Sequence, residues 1–199
     1  MILKICGITN SEDAAAAIAA GATAIGFNFY PRSPRVIAPE RAAAIETPGV
    51  RRVGVFVNES PARIVEIARI AALDTAQLHG DESPADYPAG LAVWKAARVN
   101  GGFSFAPYVN LPAEALLLDG PAADLYGGAG RTFDWSLAID SGLRVIVAGG
   151  LDASNVARAI ELARPWGVDA CSRIESAAGK KDHQKMNAFL RAAKAALHS

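Results

Sequence analysis

Cysteine is scarce in this chain, with two residues among 199, at positions 6 and 171. So distant a pair does not make the disulfide framework of a small secreted domain, and a reducing cytoplasm is the expected setting. No His, Cys, Asp or Glu group has metal-ligand spacing, so no metal is expected. Charge of one sign is also missing: 20 Lys and Arg balance 20 Asp and Glu. Without a net field, neither nucleic acid nor an anionic membrane is an expected partner, and any bound anion must be held by local groups. No apolar run reaches membrane length, and the opening MILKIC has no basic n-region, so neither a span nor a signal peptide is expected. The glycine-rich YGGAG at 126–130 lacks the strand–turn–helix setting of a dinucleotide fingerprint, which argues against NAD.

Short β-rich apolar runs alternate with helix-patterned segments. Strands are predicted over 3–6, 22–27, 53–57, 75–78, 91–96, 115–118, 144–148 and 168–171. Strands separated by helices pair in parallel through right-handed crossovers. Asn10 can cap the first helix, Ser60–Pro61 opens another, Asp152 is the expected cap of a third and Asp182 of the last. The segment 99–107 lacks helical period, so the crossover after the fifth strand reads as degraded. Composition does not shift, and no linker appears. The reading is a single α/β domain over 1–199, a parallel eight-stranded (β/α)8 barrel; an open doubly wound sheet is the alternative.

Barrels of this kind carry their chemistry at the C-terminal ends of the strands. There the sequence puts Cys6, Arg32 and Arg35, Asn58, His79–Gly80, Lys95 and Arg98, Asp119, Gly149–Gly150, and Ser172–Arg173. Cys6 is either a small buried filler or a base within reach of neutral pH given a positive field. Asp119 ends the apolar run ALLL, where desolvation favours a protonated carboxyl and so a general acid; it can also simply turn the chain. The two would face each other across the mouth, as an isomerase requires. Gly149, Gly150 and Ser172 read as a backbone cradle for phosphate. His79 is a mouth residue that either bonds or catalyses. The segment 126–135 reads as a loop closing over substrate, with Phe133 and Trp135 packed at its far end.

Taken together, KICGITN (4–10), GFNFYPRSPR (26–35), VGVFVN (53–58), QLHGDE (77–82), LLLDG (116–120), YGGAGRTFDW (126–135), AGGL (148–151) and GKKDH (179–183) resemble the phosphoribosylanthranilate isomerase family of tryptophan biosynthesis. The strings occur in family order over nearly the whole chain. The resemblance implies a (β/α)8 barrel that performs an Amadori rearrangement of N-(5-phosphoribosyl)anthranilate without a cofactor. It implies Cys6 as the general base at C2′, Asp119 as the general acid at the furanose oxygen, and Arg35 as the partner of the anthranilate carboxylate. A phosphorylated small molecule is the expected partner, and the state is a monomer or homodimer.

One feature departs from the family pattern, and a second concerns Cys6. Arg173 replaces the glycine of the usual Ser-Gly-Val-Glu, a costly change if that position needs positive φ; the expectation is a tolerated arginine near the phosphate or pointing outward. Cys171 would neighbour Cys6 when the barrel closes and is expected to pack as a small residue rather than to form a disulfide. The competing readings are the histidine-pathway isomerase, which has paired half-barrels and an aspartate at the first strand end, and a barrel that only binds a phosphorylated ligand.

Overall fold

The eight predicted strands form one closed parallel barrel in the order β1 to β8. They are Ile2–Cys6, Ala24–Asn28, Arg51–Phe56, Thr75–Leu78, Ala92–Arg98, Ala115–Asp119, Val145–Val147 and Gly167–Ala170. The computed structural model describes residues 1–120, 132–139 and 141–197. Closure is made by β1 and β8, which pair from Ile2↔Gly167 to Ile5↔Ala170.

Side chains alternate along each strand, so the barrel has an inner and an outer core. Ala24, Val53, Trp94, Ala96, Ala115, Leu117, Ile146 and Ala148 fill the barrel interior. The residues between them face outward, where Ile5, Ile25, Phe27, Leu78, Leu118 and Val168 meet the helices. Small residues in the inner set make room for Trp94, which is fully buried.

Among the described residues the α-helices are α1 Ser11–Ala20, α2 Pro39–Ala43, α3 Pro61–Ala71, α4 Val156–Ala163 and α5 His183–Ala195. Asn10 accepts a hydrogen bond from the Asp13 N–H, Ser60 from that of Arg63, and Asp182 from those of Gln184 and Lys185. Each cap contributes about 1 kcal/mol. The expected cap at Asp152 is corrected: α4 begins after Asn155, and the Asp152 carboxylate instead turns back to Ser154. Asn155 serves the turn differently, accepting from the Asp152 N–H and donating to the Gly150 carbonyl.

The connection after β5 contains no α-helix, as the missing period implied. In its place Phe103 packs edge-on against Phe105 and stacks on Tyr108. The connection after β4 is likewise reduced, to a 3₁₀ turn at Pro84–Asp86. Of the expected closing loop, 126–131 lies outside the described residues, while Trp135 is buried and Phe133 packs against the core. After β8 a short hairpin, β9 Glu175–Ala177 with β10 Lys180–Lys181, leads into α5.

Candidate active site

The inward face of β1 carries Lys4 and then Cys6 at the mouth; both are buried. On β2, Gly26 leaves the space that both need: a Cβ there would lie 2.8 Å from Cys6 Sγ and 3.1 Å from Lys4 Cε. One step beyond the last β1–β8 register pair stands Cys171, whose thiol neighbours that of Cys6. Both cysteines are free thiols. The expectation that Cys171 merely packs is therefore incomplete. It acts on the thiol of the candidate base and lies 3.9 Å from Lys181 Nζ.

This contact separates the two sulfurs electrostatically. The Cys171 hydrogen bond holds the Cys6 thiol well below its ordinary range; burial opposes this, and the Lys4 and Lys181 charges add to it. The same bond, with burial, pushes Cys171 well above. Cys6 is the sulfur poised to be anionic.

Arg35 arrives from the loop after β2. Its Nε and Nη2 donate to Glu175 at 2.9 and 2.7 Å, a bidentate fork. Lys181 donates to the same carboxylate at 2.7 Å. Burial works against the Glu175 charge, yet these two cations hold it below its usual range. Gly7, at φ +73°, lets the chain pass beneath: a Cβ there would sit 2.6 Å from Arg35 Cδ.

The opposite side of the mouth is built from β4 and β6. Gln77 lies on β4 and His79 just past its end, two residues on, and Asp119 ends β6 with 8 % of its surface exposed. His79 Nε2 lies 3.2 Å from Asp119 Oδ2, and Gln77 Nε2 lies 3.0 Å from His79 Nδ1. The amide thus holds one ring nitrogen while the other faces the carboxyl. Beside Asp119, Gly149 is required on two counts. Its φ is +78°, and an added Cβ would lie 2.7 Å from Asp119 Oδ1 and closer still to the Gly120 nitrogen.

The family model for N-(5'phosphoribosyl)anthranilate (PRA) isomerase matches residues 3–192. A curated N-(5'-phosphoribosyl)anthranilate isomerase from Solibacter usitatus is 77% identical over 197 residues, covering 99% of each chain. The chain belongs to the phosphoribosylanthranilate isomerase family. Among solved structures, the Thermotoga maritima enzyme superposes with a TM-score of 0.90 at 40% identity, covering 98% of this chain and 100% of that one. A phosphoribosyl anthranilate isomerase in complex with reduced 1-(o-carboxyphenylamino)-1-deoxyribulose 5-phosphate gives 0.86 at 39% identity, with the same coverage. A Salmonella typhimurium 3-hexulose-6-phosphate synthase, 15% identical with a TM-score of 0.73 and covering 98% and 100%, shares the fold.

The loops after β7 and β8 meet at the rim of this isomerase-family barrel. Gly149 and Gly150 both take positive φ, and Ser172 opens a 3₁₀ turn, Ser172–Ile174. Arg173 does not occupy the left-handed region, so its replacement of glycine carries no backbone strain. Its guanidinium bonds Asp152 at 3.1 Å with the side chain half exposed, tying the two loops together.

Two other mouth residues bond neighbouring loops. Asn58, at φ +51°, accepts from the Asp81 N–H at 2.7 Å. Lys95 donates to Glu82 at 2.7 Å and to the Gly80 carbonyl at 2.6 Å. Sequence reading missed Lys4, Gln77, Asp169, Glu175 and Lys181. A signal was present for Lys4: a charge inside a strand, two residues before Cys6 and hence on its face.

Proposed function

We propose that this chain catalyses the Amadori rearrangement of N-(5-phosphoribosyl)anthranilate to 1-(2-carboxyphenylamino)-1-deoxyribulose 5-phosphate in tryptophan biosynthesis. The observation that carries the reading is the pairing of a thiol poised as an anion with a buried carboxyl, on strands β1 and β6 of a barrel of this family.

The reaction needs two proton transfers of opposite sense. Asp119 gives a proton to the furanose oxygen as the C1′–O bond breaks, and the nitrogen lone pair forms the C1′=N bond. The Cys6 thiolate then takes the C2′ proton, and the C2′–H electrons form the C1′=C2′ enamine while the iminium nitrogen is neutralised. The resulting enol becomes the ketone as C1′ gains a proton and the C2′ hydroxyl loses one. No electron leaves the substrate, so the chemistry requires no redox cofactor. Asp119 is positioned by His79, which in turn is held by Gln77.

Arg35 binds the anthranilate carboxylate. Glu175 occupies its Nε–Nη2 edge, which aims the Nη1 edge at the ligand. The phosphate is held by the backbone N–H groups of Gly149 and Gly150 together with Ser172, and Arg173 lends positive charge at the rim. The whole chain acts as one domain in the cytoplasm, as a monomer or homodimer. Among the described residues no helix is long and apolar enough to cross a membrane.

The test is turnover of freshly formed phosphoribosylanthranilate, followed by loss of its fluorescence. Sustained first-order loss dependent on the protein is expected. No turnover by folded protein would reject the reading.

A further inference from the structure

Beneath the candidate base lies a buried ion pair that the reaction as written does not use. Lys4 and Asp169 are register partners across β1 and β8, with Nζ 3.0 Å from Oδ1 and side chains 0% and 8% exposed. Removing two charges from water is costly, and well-packed apolar side chains commonly serve stability as well or better. The pair therefore calls for a role beyond packing, and its placement supplies one. Lys4 stands two residues before Cys6 on the same inward face. Lys4 Cε and Cys6 Sγ crowd the one space that Gly26 leaves open. Asp169 stands in the same relation to Cys171, so the four side chains form two stacked layers at the closure of the barrel.

We propose that Lys4 is a positioning residue for the base: its buried ammonium, clamped by Asp169, is the counter-charge against which the Cys6 sulfur holds its negative charge. The role rests on the isomerase reading only in calling Cys6 the base; the charge relation itself stands without it.

The charges around Cys6 support this assignment. Lys181 on β10 and Arg35 after β2 also face it, but the two share Glu175, and the Lys4 charge acts on the sulfur more strongly than that of Lys181. Cys171 contributes a hydrogen bond rather than a charge. The ionisable groups that act most on Lys4 are Asp169 and Cys6. Burial by itself would lower Lys4, yet Asp169 and Cys6 outweigh it and hold the ammonium above the ordinary lysine range. Burial pushes Asp169 up to about 7 against the pull of Lys4, and Cys6 pushes it the same way. One cation thus serves two competing anions, and weakening either anion favours the other.

This competition gives predictions of opposite sign. Alkylation of Cys6 by iodoacetamide, resolved from Cys171 by peptide mass spectrometry, is measured against pH in the parent, Lys4→Met and Asp169→Asn proteins. In Lys4→Met the midpoint for Cys6 moves up by about one pH unit or more, and the alkaline-rising limb of the kcat profile moves up with it by the same amount. In Asp169→Asn, where the ammonium is left to the sulfur, the midpoint moves down. A packing role alone would leave both midpoints in place. An unmoved midpoint in Lys4→Met, or equal shifts in both variants, would overturn the proposal. If Lys4→Met does not fold, Asp169→Asn decides: a downward shift supports the proposal, and an unchanged or upward one overturns it. Alkylation needs no substrate, so absence of turnover in the parent would reject the isomerase reading without touching this result.

Discussion

On the β8–β1 side of the mouth a sulfur stands among Lys4, Lys181 and Arg35, with Asp169 and Glu175 balancing them. On the β4–β6 side a carboxyl meets an imidazole, which is held from behind by an amide. The first side is a lattice of ion pairs; the second is a chain of hydrogen bonds running from amide to imidazole to carboxyl. The difference fits the two proton tasks. A thiol becomes a useful base only when its anion is supported, and surrounding cations supply that support. A carboxyl that must deliver a proton is better served by a hydrogen-bond partner than by an ion-paired cation, which would fix it as an anion.

The largest effects should come from removing either active group. Cys6→Ser and Asp119→Asn are each expected to lower kcat by about 10²–10⁴-fold with the fold intact by circular dichroism. Near-normal kcat in either variant would remove that residue from the mechanism. Gly149→Ala attacks the acid side without altering its chemistry. The new methyl strains a positive-φ position and presses on Asp119, and a displacement of about 1 Å can cost about 10² in rate. The loss should appear in kcat more than in KM.

Arg35→Lys tests the charged side in the opposite manner. It keeps the charge but loses the fork that Glu175 aims. KM should rise by about tenfold or more, the scale of one charge-assisted hydrogen bond, with kcat changed less. The smallest effect is expected at Arg173, whose exposed pair with Asp152 contributes about 0–1 kcal/mol. Arg173→Gly should leave KM within about fivefold; a larger rise would show a direct contact with phosphate.

Much of the scaffold was legible because strand and helix periods are local signals. All eight strands lie where the apolar runs stand, and Cys6, His79, Asp119 and Gly149 fall at or just past strand ends as read. The cap at Asp152 was misread because Asp, Ser and Asn at 152–155 can each cap, and only the turn geometry selects Asn155. The charge lattice was not legible. Lys4 meets Asp169 and Arg35 meets Glu175 across 165 and 140 residues of sequence, and such pairs emerge only when β8 closes on β1. Gln77 was hidden for another reason: it sits in a strand run whose apolar neighbours dominate the pattern, and its role appears only beside His79.

The division of labour between the two sides can be tested with substrate deuterated at C2′. If Asp119 opens the ring and Cys6 then removes the C2′ proton, Cys6→Ser makes proton removal rate-limiting and should show a large isotope effect on kcat. Asp119→Asn makes ring opening rate-limiting and should show an effect near unity. The reverse pattern, or equal effects in both variants, would contradict the assignment of base to Cys6 and acid to Asp119.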